Sequence, residues 1–597
     1  LWMGLVGLAL VLLLLYWPSA TMRGSFFVGD IFRLGYPARY EYSVGLANGH
    51  IPTWTPNALG GYPVLAEGQT GAYYPLNLLL HSLLPVLPAM NLGILISLWL
   101  TGAGTLLFVR SLGTRLAPAF LAACAFMLGG FVPGHLNHLN MLAAVAWLPW
   151  LLWTVEGATR TRAAWRWGLT ALLFGLQGLA GHPQISLLTA LILMPYATLG
   201  PLGTARSFRW SRQVEQAMAC CLALVGGAAL AAVQWLPTYE LTRLSQRGQG
   251  LDPEFFTSFS LSPAHYITML WPFLRGNPYP LTSLETIGYV GVLPLLLAAV
   301  APLRQRSRLT VFWVASAAVG IALSFGRWNP LYRWLMYVPV FNMFRAPARY
   351  LLWVDLAVAV LAGVGLDSLL PQEREERISS RAWLPVEGVA LVGLGGWWLG
   401  RSELESLLAV WRWLPLALLG LGSGLLVVLR WRPQPRLWAG LCIGLVLADL
   451  WAFNGVYNKT YNATMIPADV ERPPSVLEYL ERDAGPGLYR VLTSEEILPV
   501  LPVMRESLYP NTHLLYGVQS LNGYYPLMSG PQRWLWNNLN PRLVNLLGVR
   551  FILVPQLLPV DASTEMYDTT DPFAPPVVGR AFNLPSVQVV RLEIEGY

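Results

Sequence analysis

The sequence predicts a mainly α-helical, polytopic membrane protein of about 13 transmembrane helices with a small external α/β domain at its C-terminus. Three observations predict it. Of 597 residues, 55% are apolar and only 12% are charged, with a mean hydropathy of +0.47, whereas a soluble chain carries roughly 25% charged residues. Apolar runs of bilayer length recur along most of the chain. The short arginine clusters between those runs all fall on one side once the runs are counted as spans. This composition excludes a disordered chain and argues against a multidomain soluble enzyme.

The runs lie near 1–17, 88–109, 117–131, 139–155, 167–180, 184–199, 217–236, 287–302, 310–325, 350–366, 388–400, 406–429 and 437–455. The first lacks a basic leading segment and a small-residue cleavage site, so it reads as an uncleaved span. The stretch 167–199 is interrupted by Gly181-His182-Pro183-Gln184. Proline lacks an N–H and clashes inside a helix, which predicts a helical hairpin there rather than one kinked helix.

With the N-terminus inside, six loops face the cytoplasm. They hold Arg110 and Arg115; Arg160, Arg162 and Arg166; Arg206, Arg209 and Arg212; Arg304, Arg306 and Arg308; Arg374, Arg377 and Arg381; Arg430, Arg432 and Arg436. That is the positive-inside pattern. The net charge of +7, with Lys459 the one lysine, is therefore a topology signal and gives no reason to expect nucleic acid. The polytopic region runs over 1–455 with external loops 18–87 and 237–286, and 456–597 forms the external domain. Strand-like pieces such as Tyr489–Leu492, Arg550–Val554 and Val587–Leu592 predict the α/β character of that tail. The expected location is the cell membrane, multi-pass, with the C-terminal domain extracytoplasmic.

The four cysteines lie in apolar runs without CxxC spacing and read as buried hydrophobes. His135-Leu136-Asn137-His138 pairs two imidazoles but offers no third ligand nearby, so no metal site is assigned. Walker, Rossmann, HExxH and GxSxG motifs are missing from the sequence. Two sequons, Asn458-Lys459-Thr460 and Asn462-Ala463-Thr464, match the glycosylation pattern.

The chemistry gathers at the outer membrane edge. Asp30 follows the first span, where a carboxylate can take a proton from a hydroxyl or help bind a metal. Glu240 and Glu285 sit at the same level, either facing one cavity with Asp30 or each capping a helix end. Phe344-Arg345-Ala346-Pro347-Ala348-Arg349-Tyr350 enters a span that carries Asp355 about 8 Å deeper. An ionised group inside a span faces a cavity or a partner. Arg345 and Arg349 are Asp355's evident partners, or a clamp on a lipid-linked phosphate, or interfacial snorkelling arginines. Asp449 in the last span is isolated in sequence.

These stretches resemble the bacterial YfhO-type membrane proteins, which are placed with the GT-C glycosyltransferase fold. The matching residues are Gly29-Asp30, the Gly49…Trp54…Gly60-Gly61…Tyr73-Tyr74-Pro75 loop, Gly181-His182-Pro183-Gln184, and Leu236-Pro237…Glu240…Ser245…Arg247. Glu285…Gly288-Tyr289…Gly291, Phe344–Arg349 and Leu546–Leu553 complete the set. The resemblance implies an inverting membrane glycosyltransferase of the cell envelope with Asp30 as catalytic base. Beyond what the resemblance implies, we infer that Arg345 or Arg349, alongside Arg247, would stabilise a leaving phosphate, and that Glu240 and Glu285 would orient acceptor or sugar hydroxyls. Glu67, His182 and Asp355 join them as substrate-binding residues. The implied partners are a polyprenyl-phosphate-linked sugar, an extracytoplasmic glycan, lipid or protein acceptor, and the bilayer. No cofactor is assigned; a divalent metal is left open, because Asp30 is followed by Ile31 and Phe32 and the Asp-x-Asp form is missing. Relatives also continue past the tail to a last span. A transporter or flippase of lipid-linked glycans and a non-catalytic assembly factor are the alternative readings. A transporter would place charge or broken helices at mid-membrane, whereas here the acids cluster at the edge.

Overall fold

The computed structural model describes residues 1–27, 29–199, 210–248, 250–274, 284–370, 409–431, 434–484, 488–494, 501–555, 578–583 and 587–593. Contacts divide the chain into two compact units, whose limits do not follow the 455/456 division read from sequence. The first comprises Leu1–Thr21, Asn91–Val233 and Gly250–Ala463; the second comprises Met22–Met90, Gln234–Gln249 and Thr464–Tyr597.

Six helices among the described residues are long and apolar enough to cross a membrane: Val86–Ser111, Leu116–Gly134, Leu139–Thr161, Trp210–Leu230, Pro347–Leu369 and Pro435–Lys459. Shorter apolar helices cover Trp2–Leu15, Pro183–Leu199, Val292–Arg304, Arg308–Ser324 and Trp413–Val427. The run read at 388–400 lies outside the described residues. The break at Gly181-His182-Pro183 is real. One helix ends at Leu179, Gly181 takes φ 85°, and the next helix starts at Pro183. His182 Nδ1 accepts the Ile185 N–H at 3.3 Å, capping the new helix, and Asn140 Nδ2 donates to Gly181 O at 2.8 Å.

Leu351–Leu369 is apolar nearly all round and is the interior helix of the first unit, with every residue from Leu351 to Leu366 buried. A helix of that kind must be surrounded on all sides. It packs against Val292–Arg304, Arg308–Ser324 and Leu116–Leu128. Small residues let membrane helices approach closely. A Cβ on Gly365 would lie 2.1 Å from the Leu297 carbonyl oxygen. Gly365→Val is therefore expected to lower thermal stability by about 1–3 kcal/mol or more, the cost of overpacking against rigid backbone. A melting temperature equal to wild type would remove this helix crossing from the account.

The run read as a span at 287–302 differs at its start. Ile287–Gly291 is not helical, and the helix begins only at Val292. Gly291 at φ 91° turns the chain, and Gly130 N donates to Tyr289 O at 2.6 Å. Asp449, isolated in sequence, supplies the cap. Its Oδ2 accepts the Val292 N–H at 2.8 Å, and its Oδ1 accepts the Tyr289 hydroxyl at 2.5 Å. The sequon residue Asn462 is buried and donates to Pro133 O and Asn458 Oδ1.

In the second unit, Ser25–Phe26 pairs antiparallel with Thr464–Met465, which ties the first loop to the start of the tail. The strand-like pieces of the tail join one five-stranded sheet in the order Gln519–Ser520, Arg490–Thr493, Val549–Pro555, Val587–Glu593, Val578–Asn583. The first three strands are parallel and the last two antiparallel to their neighbours. Successive strand side chains point to opposite faces. Accordingly Val491, Phe551 and Leu553 pack with Val476 and Leu480 of the helix Ser475–Ala484, while Leu492, Ile552 and Val554 pack with Leu521 and Val544 on the other face.

Candidate functional site

Two polar clusters stand out, one in each unit. In the first unit the turn Leu284–Thr286, the end of the helix Phe131–Gly134, the helix start after the break at His182 and the turn Pro347–Tyr350 bring Glu285, His135, Gln184 and Arg349 together. Arg349 forks onto Glu285, with Nε donating to Oε2 at 2.9 Å and Nη2 donating to Oε1. Arg349 Nη1 donates to Gln184 Oε1 at 2.6 Å, and Gln184 Nε2 donates to Arg345 O at 2.7 Å. His135 Nδ1 lies 2.6 Å from Phe131 O and its Nε2 lies 3.0 Å from Glu285 Oε2. Burial would raise the Glu285 carboxyl, but the Arg349 guanidinium and His135 hold it well below the usual carboxylate range. A forked, charge-assisted pair is the strong form of such a contact. His182, half-buried, is held well below its ordinary value by desolvation and by the nearby Arg349. His135, His138 and Glu285 each place a ligand atom within 4.8 Å of the others.

This geometry alters three sequence expectations. Asp355 does not take an arginine: its Oδ2 accepts the Phe131 N–H at 3.2 Å, and the fork of Arg349 goes to Glu285 instead. Arg345 lays its guanidinium over the rings of Phe255 and Phe259, 4.6 and 5.2 Å from their centroids, a cation–π seat. Gln184, quoted in sequence only as part of a motif, is the residue that fixes Arg349. Its place just past the proline that opens a helix was the available signal.

In the second unit Asp30 follows Gly29 (φ 66°) and opens the turn Ile31–Gly35; its Oδ1 accepts the Tyr524 hydroxyl at 3.4 Å. Glu67 is buried at the end of Val64–Glu67, and its Oε2 accepts the Gln69 N–H at 2.9 Å. Burial pushes its carboxyl up to about 7, against the Gln69 bonds and the nearby Arg247 and Arg39. Arg39 was not singled out from sequence. It is buried on the helix Tyr36–Ala47, and burial lowers its guanidinium to about 10. Glu240 is exposed on the helix Ala232–Leu244.

The Glu67 environment sets a pH dependence. A carboxyl raised above its unfolded value of 4.5 keeps its proton in the folded state while the unfolded chain has lost it, so stability falls as pH rises from 4.5 through about 7. The span corresponds to about 3 kcal/mol. Glu67→Gln is expected to flatten that part of the stability–pH curve, read by thermal unfolding of wild type and variant at matched pH values. Parallel curves would mean that Glu67 is not the titrating group.

The long apolar helices of the chain support a multi-pass membrane protein. Among solved structures it is similar to the mycobacterial arabinofuranosyltransferase AftD, with TM-score 0.52 and 15% identity over 98% of this chain and 41% of that one. The chain therefore spans about two-fifths of AftD's length. ArnT from Cupriavidus metallidurans bound to undecaprenyl phosphate gives TM-score 0.47 and 16% identity over 98% and 97% of the two chains. The oligosaccharyltransferase AglB from Archaeoglobus fulgidus, in complex with an inhibitory peptide and a dolichol-phosphate, gives 0.42 and 12% over 91% and 69%. The fold assignment rests on AftD. No protein-family model matches the sequence, and no curated protein matches it.

Proposed function

We propose that the chain is a membrane glycosyltransferase that moves a sugar from a polyprenyl-phosphate donor to an extracytoplasmic acceptor. The observation that carries this reading is the fold shared with an arabinofuranosyltransferase over nearly the whole chain. The orientation that goes with it puts the arginine-bearing loops and the N-terminus in the cytoplasm and the tail outside.

In the proposed reaction Asp30 takes the proton of an acceptor hydroxyl. The oxygen so freed attacks the anomeric carbon of the donor sugar. The bond from that carbon to the phosphate oxygen breaks, and the polyprenyl phosphate leaves with the electron pair, inverting the centre. Arg247 is the cation we assign to the leaving phosphate, since a fixed positive group aimed at developing charge is effective where water is sparse. Arg349 is committed to Glu285 and Gln184, and Arg345 to two phenyl rings. Glu285 is likewise committed to Arg349, so sugar hydroxyls are left to other groups.

The test is turnover by the purified full chain in lipid nanodiscs supplied with polyprenyl-phosphate sugars and an envelope-glycan acceptor. Free polyprenyl phosphate and glycosylated acceptor should accumulate in equal amounts. Movement of the lipid-linked sugar across a vesicle membrane without transfer would overturn the enzyme reading in favour of a transporter.

A further inference from the structure

Outside the proposed chemistry, the first unit holds a cluster that a neutral His135 leaves unbalanced. His135 Nδ1 sits 2.6 Å from the Phe131 carbonyl oxygen. A carbonyl only accepts, so Nδ1 carries the hydrogen. In a neutral imidazole the other nitrogen, Nε2, then bears a lone pair. That lone pair is 3.0 Å from Glu285 Oε2, an oxygen of a carboxylate that Arg349 keeps ionised through its fork. Two acceptors at that distance require a cation between them, either a proton or a metal ion.

We infer that His135, His138 and Glu285 form a binding site for a transition-metal dication of the zinc class. The ligand atoms of all three lie within 4.8 Å of one another. Ligands held about 2.0–2.2 Å from one zinc ion stand roughly 3–3.7 Å apart, so closure of the set needs the most distant pair to approach by about 1 Å at most. Two imidazoles and one carboxylate form a donor set used for zinc with a fourth position open to water or another anionic oxygen. Imidazole donors select this class over magnesium or calcium, which prefer oxygen alone.

The surroundings have the form of a built site. A metal-bound histidine donates its second ring N–H to a carbonyl or carboxylate, which fixes its tautomer; His135 does so to Phe131. A ligating carboxylate is itself held by hydrogen bonds; Glu285 is held by Arg349, which Gln184 fixes in turn. His135 and Glu285 are buried and His138 is half-buried, which leaves the cluster a side from which an ion can arrive. Sequence alone offered two histidines and no third ligand. The third stands 150 positions from His135.

The inference needs nothing from the glycosyltransferase reading, and its readout is not activity. The full chain, stripped with chelator in nanodiscs, is titrated with Zn²⁺ and with Co²⁺. Metal content by mass spectrometry should reach about one ion per chain, with the intense visible bands of four-coordinate cobalt. His138→Asn, which leaves the Glu285–Arg349 pair intact, should lower zinc affinity at least tenfold. His135→Asn should do the same, and a calcium or magnesium titration should give no stoichiometric binding. A folded wild type that takes up neither zinc nor cobalt overturns the site and leaves an imidazolium–carboxylate pair in its place. Undiminished zinc binding in both histidine variants overturns it equally.

Discussion

Glu285→Met and Arg349→Met should each destabilise the chelator-treated protein by about 3–5 kcal/mol, and the double variant should recover most of that loss. Each single change strands a buried partner: side-chain exposure is 6% for Glu285 and 14% for Arg349. Removing both charges removes the desolvation cost together with the attraction, so two well-packed apolar side chains come out near wild type. The coupling is measured as the double-mutant interaction energy from thermal or denaturant unfolding of metal-free protein. Acid adds a second readout. The Glu285 carboxyl lies well below its ordinary value of 4.5 when folded, so its share of stability is complete above that value and is lost as pH falls through the folded one. Wild type should therefore lose stability on acidification below about 4.5 more steeply than Glu285→Met does. Additive single variants, or singles within about 1 kcal/mol of wild type, would mean that the pair is not a determinant of the fold.

The contrast between what sequence revealed about this region and what it did not has a physical cause. Helices such as Leu351–Leu369 were legible because a bilayer demands an uninterrupted apolar run, and the run is a property of neighbouring residues. The hairpin at Gly181–Pro183 was legible for the same local reason. Partners of charged groups are set by packing between distant segments. Arg349 finds Glu285 at 64 positions' distance, and Asp449 finds the Val292 amide at 157. Sequence proximity suggested Asp355 for the arginines. The carboxylate instead meets the amide of Phe131, 224 positions away. Glu67 shows the same limit: nothing in Val64–Gln69 announces burial, which comes from the fold and moves its carboxyl to about 7.

Asp30→Asn should lower turnover by about 10²–10⁴-fold while leaving the melting temperature close to that of wild type. Asparagine keeps the shape of the side chain and can still receive the 3.4 Å bond from the Tyr524 hydroxyl, so the fold has little reason to change. What it cannot do is hold a proton taken from an acceptor hydroxyl. The loss should appear in kcat with KM for the donor nearly constant, because the interaction is made only as the proton moves. Two comparisons separate this role from a structural one. Glu240→Gln, at an exposed position, should leave turnover within about threefold. Glu67 is the rival base in the same unit, since a carboxyl near 7 is well matched to proton transfer at neutral pH. If Asp30 is the base, Glu67→Gln shifts the pH profile of stability but keeps turnover within about tenfold at a fixed pH. If instead Asp30→Asn turns over normally and Glu67→Gln does not, the proton goes to Glu67, and the assignment drawn from the first loop passes to the buried acid at its far end.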